Sequence, residues 1–337
     1  MAASLNNRGS NTAQGDRNVA FFVAYQWVRV VASFYLSIEF IILIFKKNYI
    51  TNSIEMKYLF TFILLIASII SSNAQWSKLP IHTDEINHTS KLNHRTYKVS
   101  VALPSSYNPE NKYPVYYLLD GYYAFPIAKE SMKALKMGNL SKDFILVSIA
   151  GDETNDYDWL LNRWTDYTFT QKIKKDSTYS KIWNFSSPAL VSGGGDIFYN
   201  IITKEIIPLI DSKYSTNNER GLSGHSLSGL YVANALFKSD GIFTKFGINS
   251  PSFLFWDNDI MEAEAKYASA NSTLKVDVFF SIAELEDGFD NLLRFETLLK
   301  KYNGFNSKLV VFKDETHNSV GPAMIARTMR ELYSNKD

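Results

Sequence analysis

The stretch Gly221-Leu222-Ser223-Gly224-His225-Ser226-Leu227-Ser228-Gly229-Leu230-Tyr231 decides how this chain is read. The short run ending at Ser223 predicts a strand, Gly224 to Gly229 a tight turn, and from Leu227 a helix can run through Ala233 and Ala235. A strand, a sharp turn and a helix in that order place a serine hydroxyl, here that of Ser226, at the top of a sheet. Small residues two before and two after that serine let strand and helix approach each other, and these are Gly224 and Ser228. Glycine is the usual residue at the second of those positions, so Ser228 departs from the pattern while staying small, and Gly229 follows it.

A serine hydroxyl is a poor nucleophile until a neighbouring imidazole takes its proton, and sheets that use this turn supply their groups in the order serine, acid, histidine. The five histidines are His82, His88, His94, His225 and His317, and only His317 lies well beyond the serine. It follows the last apolar run, Lys308 to Phe312, and precedes a helix. That position makes it the expected general base, and the adjacent His225 a packing residue. The acid is expected after the strand Val276 to Ser281, where Ala283-Glu284-Leu285-Glu286-Asp287-Gly288 offers three carboxylates. A carboxylate there would fix the imidazole tautomer and stabilise the imidazolium. Spacing selects Glu286, three residues beyond the small Ala283, over Glu284 and Asp287, which read as turn or cap residues. The expected oxyanion donors are the backbone amides of Leu227, next after the serine, and of Tyr122, in the loop after Leu118-Leu119-Asp120-Gly121.

Working outward, short apolar runs alternate with amphipathic helical stretches. Tyr97 to Leu103, Val115 to Leu119, Phe144 to Ile149 and Lys245 to Asn249 predict further strands. Ile197 to Tyr214 is the clearest helix, with Ile197, Ile201, Ile202, Ile206, Leu209 and Ile210 on one face. Strands separated by such helices imply a mainly parallel central sheet with helices on both faces, whose ligands sit at the carboxyl ends of the strands.

The chain has 337 residues, 35 Lys and Arg against 34 Asp and Glu, and a formal net charge of +1, so nothing favours nucleic acid as a partner. It contains no cysteine, which excludes disulfides, thiolate nucleophiles and Cys-ligated zinc. His82-Thr-Asp-Glu-Ile-Asn-His88 lacks the spacing of a helical metal-binding pair, and neither a metal nor another cofactor is expected. From Met56 a basic residue, an apolar run from Leu59 to Ile70 and small residues at Ser72 and Ala74 spell a signal peptide, 56–74, cleaved after Ala74. The run is shorter than the roughly 20 residues a spanning helix needs. Such a segment belongs at an N-terminus, so residues 1–55 are expected to be upstream sequence translated in frame from a mis-set start. Val19 to Phe45 would otherwise be a membrane helix, but Arg29 and Glu39 interrupt it. A single exported domain, periplasmic or secreted and without a stable membrane anchor, is then expected over residues 75–337.

Tyr113-Pro-Val-Tyr-Tyr-Leu-Leu-Asp-Gly, Gly193-Gly-Gly, Ile207-Pro-Leu-Ile-Asp-Ser-Lys-Tyr, Gly224-His-Ser-Leu, Ser250-Pro-Ser-Phe-Leu-Phe-Trp and Thr316-His-Asn-Ser-Val together resemble the esterase D and enterochelin esterase-like family of α/β-hydrolases. The resemblance runs from about residue 85 to 335. It implies the α/β-hydrolase fold, catalytic roles for Ser226 and His317, the second oxyanion amide at Tyr122, and a place for Arg163 on the substrate side of the site. Members include siderophore trilactone esterases, S-formylglutathione hydrolase, mycolyltransferases and feruloyl or acetyl-xylan esterases. Export argues against glutathione chemistry and leaves siderophore, aryl or polysaccharide-linked esters as substrates. Loop aromatics such as Tyr122, Trp159, Trp164 and Trp256 would suit an aromatic acyl group. Hydrolysis of a small-molecule or polysaccharide-linked ester leads; an acyltransferase using the same serine and a non-catalytic binding module on a hydrolase scaffold are the alternatives.

Overall fold

The computed structural model describes residues 81–185 and 189–335, which belong to one compact unit. The expectations for residues 1–55 and 56–74 lie outside the described residues. In chain order come β1 (Thr83–Thr89), β2 (Thr96–Ala102), β3 (Tyr113–Leu118), α1 (Gly121–Met137), β4 (Ile145–Gly151), α2 (Asp156–Asp166) and α3 (Ile173–Ile182). Then follow α4 (Gly195–Ile201), a π-helical turn (Ile202–Ile206), α5 (Ile207–Lys213), β5 (Thr216–His225) and α6 (Leu227–Ala235). The last elements are β6 (Lys245–Asn249), α7 (Phe253–Ala268), β7 (Thr273–Ala283), α8 (Phe289–Leu299), β8 (Asn303–Phe312) and α9 (Gly321–Leu332).

The strands form one eight-stranded sheet in the order β1-β2-β4-β3-β5-β6-β7-β8. β2 runs antiparallel to both of its neighbours, and every other pair is parallel. The inner strands are near-continuous apolar runs because helices cover both of their faces. All six residues of β3 and all seven of β4 are buried. Side chains alternate across β3. Val115 and Tyr117 enter the core shared with α4 to α8, whereas Tyr116 and Leu118 enter a second core with Ala128 and Met132 of α1 and Ile325 and Met329 of α9.

This wiring places the site. From β3 the chain crosses to β4 on one side, and later β5 pairs with β3 on the other, so the direction of winding reverses between β3 and β5. Helices α1 and α6 then leave the carboxyl ends of these two strands toward opposite faces and open a crevice between them. The first half of β5 is polar, Thr216-Asn-Asn-Glu-Arg, and pairs with β3 through a register shift between Tyr113 and Val115. The helix expected from Ile197 to Tyr214 runs from Gly195 to Lys213 through a π turn at Ile202–Ile206, and Tyr214 is already extended.

Candidate active site

Strand β5 passes into α6 through Ser226, whose backbone sits at φ 64, ψ −119. A non-glycine residue with positive φ is strained, and here the neighbourhood holds it. The Ser226 amide donates to the Asn249 carbonyl at 3.0 Å, and its own carbonyl accepts from Leu230 and Ser252, each at 3.0 Å. Glycine is required beside it: a Cβ on Gly224 would lie 2.6 Å from the backbone of Ser228, and one on Gly229 would lie 2.7 Å from the Asn249 carbonyl oxygen. The helix therefore crosses the strand end at backbone contact.

Three side chains from three strand ends meet there. His317 Nε2 lies 2.9 Å from Ser226 Oγ. On its other edge, His317 Nδ1 contacts Glu286 Oε2. Glu286 Oε1 accepts from the Ala283 amide at 2.8 Å and from the Ser250 hydroxyl. An ionised carboxylate can only accept, so Nδ1 carries the imidazole proton and Nε2 is left to accept from the serine hydroxyl. Burial pushes the Glu286 carboxyl up, and the bonds from His317, Ser250 and the Ala283 amide more than reverse this, holding it below its usual value. Of the rival carboxylates, Glu284 accepts from the Asp314 amide at 2.9 Å and Asp287 faces the cavity; neither reaches the imidazole.

Leu227 is the first residue of α6 and Tyr122 the second of α1, positions whose amides have no acceptor within their own helix. The helix starts are held side by side, because Leu119 donates to the Ser223 carbonyl at 2.9 Å across the β3 and β5 ends. Leu227 lines the cavity beside Ser226, whereas the Tyr122 side chain is exposed.

That cavity, about 400 Å³, is walled by Leu160 and Trp164 of α2, Trp183, Pro251, Leu254 and Ile282, with Ser226, His317, Glu286 and Asp287 at its polar end. Arg163 lines it too, but its guanidinium is engaged. Its Nε donates to Asp120 Oδ1 at 2.6 Å, its Nη2 to Asp120 Oδ2 at 3.1 Å and to the His225 carbonyl at 3.3 Å, and it stacks 4.4 Å over the Trp159 ring. Trp256 does not line the cavity. It is buried at a kink in α7 and packs edge-on behind Trp164, with ring centroids 5.1 Å apart.

Sequence reasoning missed the buried carboxylate of Asp120, which ties this region together. Besides Arg163 it accepts from Ser228 Oγ at 2.6 Å and from Trp159 Nε1 at 3.3 Å. Ser228 Oγ in turn accepts from the His225 amide at 2.8 Å, so the residue that departs from glycine anchors the serine turn to the end of β3. A charged residue at the end of an all-apolar strand was the available signal, since a buried charge requires partners. Ser250 and Ser252, the latter 3.2 Å from Ser226 Oγ, were also missed because they come from a loop between β6 and α7. His82 pairs with Asp84 and His88 with Glu205, both away from this site.

A mainly parallel sheet bearing a serine on the sharp turn between strand and helix, with histidine and acid after later strands, defines the α/β-hydrolase class. Residues 90–284, more than half of the chain, match the family model described as "Putative esterase". The chain belongs to that family and is a carboxylic-ester hydrolase. It is 23% identical over 260 residues to the ferri-bacillibactin esterase BesA of Bacillus subtilis, covering 72% of this chain and 86% of that one. It is 30% identical over 159 residues to the apo-salmochelin esterase of Escherichia coli O6:H1, covering 47% of each. An IroE-like serine hydrolase from Shewanella oneidensis is similar in structure, with a TM-score of 0.62 at 26% identity over 75% of this chain and 80% of that one.

Proposed function

We propose that the chain is an exported serine esterase that cleaves its ester through an acyl-enzyme on Ser226. The observation that carries this reading is the continuous contact from Ser226 Oγ to His317 Nε2 at 2.9 Å and from His317 Nδ1 to Glu286. His317 takes the serine proton as Oγ attacks the ester carbonyl, and returns it to the leaving alkoxide; water then repeats the sequence to release the acid. Glu286 holds the imidazole in the tautomer that can accept, and the amides of Leu227 and Tyr122 stabilise the oxyanion. The substrate class is a siderophore-type lactone or an aryl or polysaccharide-linked ester. Support comes from the relatives, one a ferri-bacillibactin esterase and the other an apo-salmochelin esterase, and from the aromatic wall of the cavity.

The domain proposed to act outside the cytosol spans residues 75–337, released from the segment 56–74. Among the described residues no helix is long and apolar enough to cross a membrane. Steady-state hydrolysis of 4-nitrophenyl esters by Ser226→Ala and His317→Ala tests the reading. Both should lose at least about a thousandfold in kcat while remaining folded, whereas His82→Ala and His94→Ala should stay within a few-fold of the parent. Hydrolysis that survives Ser226→Ala would refute it.

A further inference from the structure

The charge inside the cavity restricts which esters can reach Ser226. Among the described residues that line it, Arg163 is the only cation apart from whatever charge His317 takes up, and both carboxylate oxygens of Asp120 already face its guanidinium. Behind the Trp164 wall, Lys172 is paired with Asp259, and the Lys175 ammonium sits 5.3 Å from the centroid of the Trp256 ring. On the other side of the balance, Asp287 faces the cavity with no cation within salt-bridge distance among the described residues. Glu286 is held in its charged form by His317, Ser250 and the Ala283 amide. Among the described lining residues Leu160, Pro251, Leu254 and Ile282 are apolar, the Trp164 indole N–H is taken by Asp176 and the Ser250 hydroxyl by Glu286, which leaves an anion only the neutral donors of Trp183 and Ser252 and no charge to balance its own.

An anionic acyl group entering this space would lose its water, find no free cation, and approach the Asp287 carboxylate. A neutral aromatic or aliphatic group would lose nothing polar and gain the apolar wall. Resting on the esterase reading above, we infer that the site selects uncharged acyl groups and discriminates against anionic ones. For a catecholate lactone this distinguishes two chemical states. Free catechols keep their phenolic protons at neutral pH. Iron(III) displaces those protons and leaves a polyanionic complex. At this site the iron-free ester is therefore favoured over the iron-loaded one, a preference that sets this chain apart from the relative named for ferri-bacillibactin.

The test compares kcat/KM for 4-nitrophenyl esters of matched length, one with a terminal methyl, one with a terminal carboxylate and one with a terminal trimethylammonium, and then for a catecholate trilactone with and without iron. The neutral ester should exceed the carboxylate ester by about tenfold or more, and the iron-free trilactone should exceed the iron-loaded one in the same sense. Asp287→Asn should narrow the neutral-to-carboxylate ratio by about threefold and Asp287→Lys by more, with half-molar salt narrowing it in the parent alone. A ratio near one in the parent would overturn the inference, as would one that neither Asp287 variant nor salt alters. Failure of the esterase reading registers separately, as hydrolysis that persists in Ser226→Ala. Failure of charge selection registers as a flat ratio in a protein whose hydrolysis that substitution abolishes.

Discussion

Replacing Glu286 by glutamine should be more damaging than loss of a negative charge alone. The two groups that donate to Oε1, the Ala283 amide at 2.8 Å and the Ser250 hydroxyl, require an acceptor at that position. They therefore fix the glutamine carbonyl there and turn its NH2 group toward His317 Nδ1. A donor facing Nδ1 makes that nitrogen the acceptor and moves the imidazole proton to Nε2, which then cannot accept from Ser226 at 2.9 Å. An imposed wrong tautomer costs about 10³- to 10⁴-fold in kcat, or about 4 to 5.5 kcal/mol of transition-state stabilisation. Glu286→Ala imposes no tautomer and should retain more activity than Glu286→Gln, an order that a purely electrostatic role would not give. The assay is steady-state hydrolysis of a 4-nitrophenyl ester, with fluorophosphonate labelling as a check that serine and oxyanion donors survive. Glu284→Gln, which keeps an acceptor for the Asp314 amide, is the control and should stay within a few-fold of the parent. A Glu286→Gln variant within about tenfold of the parent would refute the reasoning.

Asp120→Ala leaves the buried Arg163 guanidinium without its carboxylate and should cost about 3 to 5 kcal/mol in urea unfolding, with Asp120→Asn milder because it keeps an acceptor. Gly224→Ala drives a methyl to 2.6 Å from the Ser228 backbone and should lower stability by about 1 to 3 kcal/mol while displacing the serine turn, so activity should fall further than melting temperature suggests. Burial, followed by the nearby His317 and Arg163 charges, pushes His225 down to about 3 from an ordinary 6.5. The unfolded chain then binds a proton that the folded one refuses between these values, so this group should reduce stability as pH falls from about 6.5 toward 3, by at most ~1.4 kcal/mol per pH unit. Unfolding free energies measured across that range should decline less steeply in His225→Gln, by about one proton; an unchanged slope would count against the burial argument.

The parallel core of the fold was legible because its strands are short apolar runs set between amphipathic helices, and β6 falls on Lys245–Asn249 as expected. What escaped was the polar periphery. β1, Thr-Asp-Glu-Ile-Asn-His-Thr, is an edge strand with alternating exposure and only one apolar side chain, so no hydrophobic period announces it. Likewise β8 begins at Asn303, five residues before its apolar part, because β7 templates its polar start. At the site, groups fixed by chain order and local spacing could be named beforehand: the serine at the turn, the histidine after the last strand and the carboxylate three residues past Ala283. Groups that act through long-range contact could not. Asp120 meets Arg163 and Ser228 only once β3, α2 and α6 are assembled, and Trp256 reads as a loop aromatic until the kink in α7 turns it behind Trp164.

The central claim is that one serine, activated by His317, forms the covalent intermediate. Incubation of the folded protein with a fluorophosphonate, followed by peptide mapping by mass spectrometry, tests it most directly. The account predicts a single adduct on Ser226, formed far more slowly in His317→Ala and absent in Ser226→Ala. An adduct on Ser223, Ser228, Ser250 or Ser252, or labelling of Ser226 at an undiminished rate without His317, would contradict it.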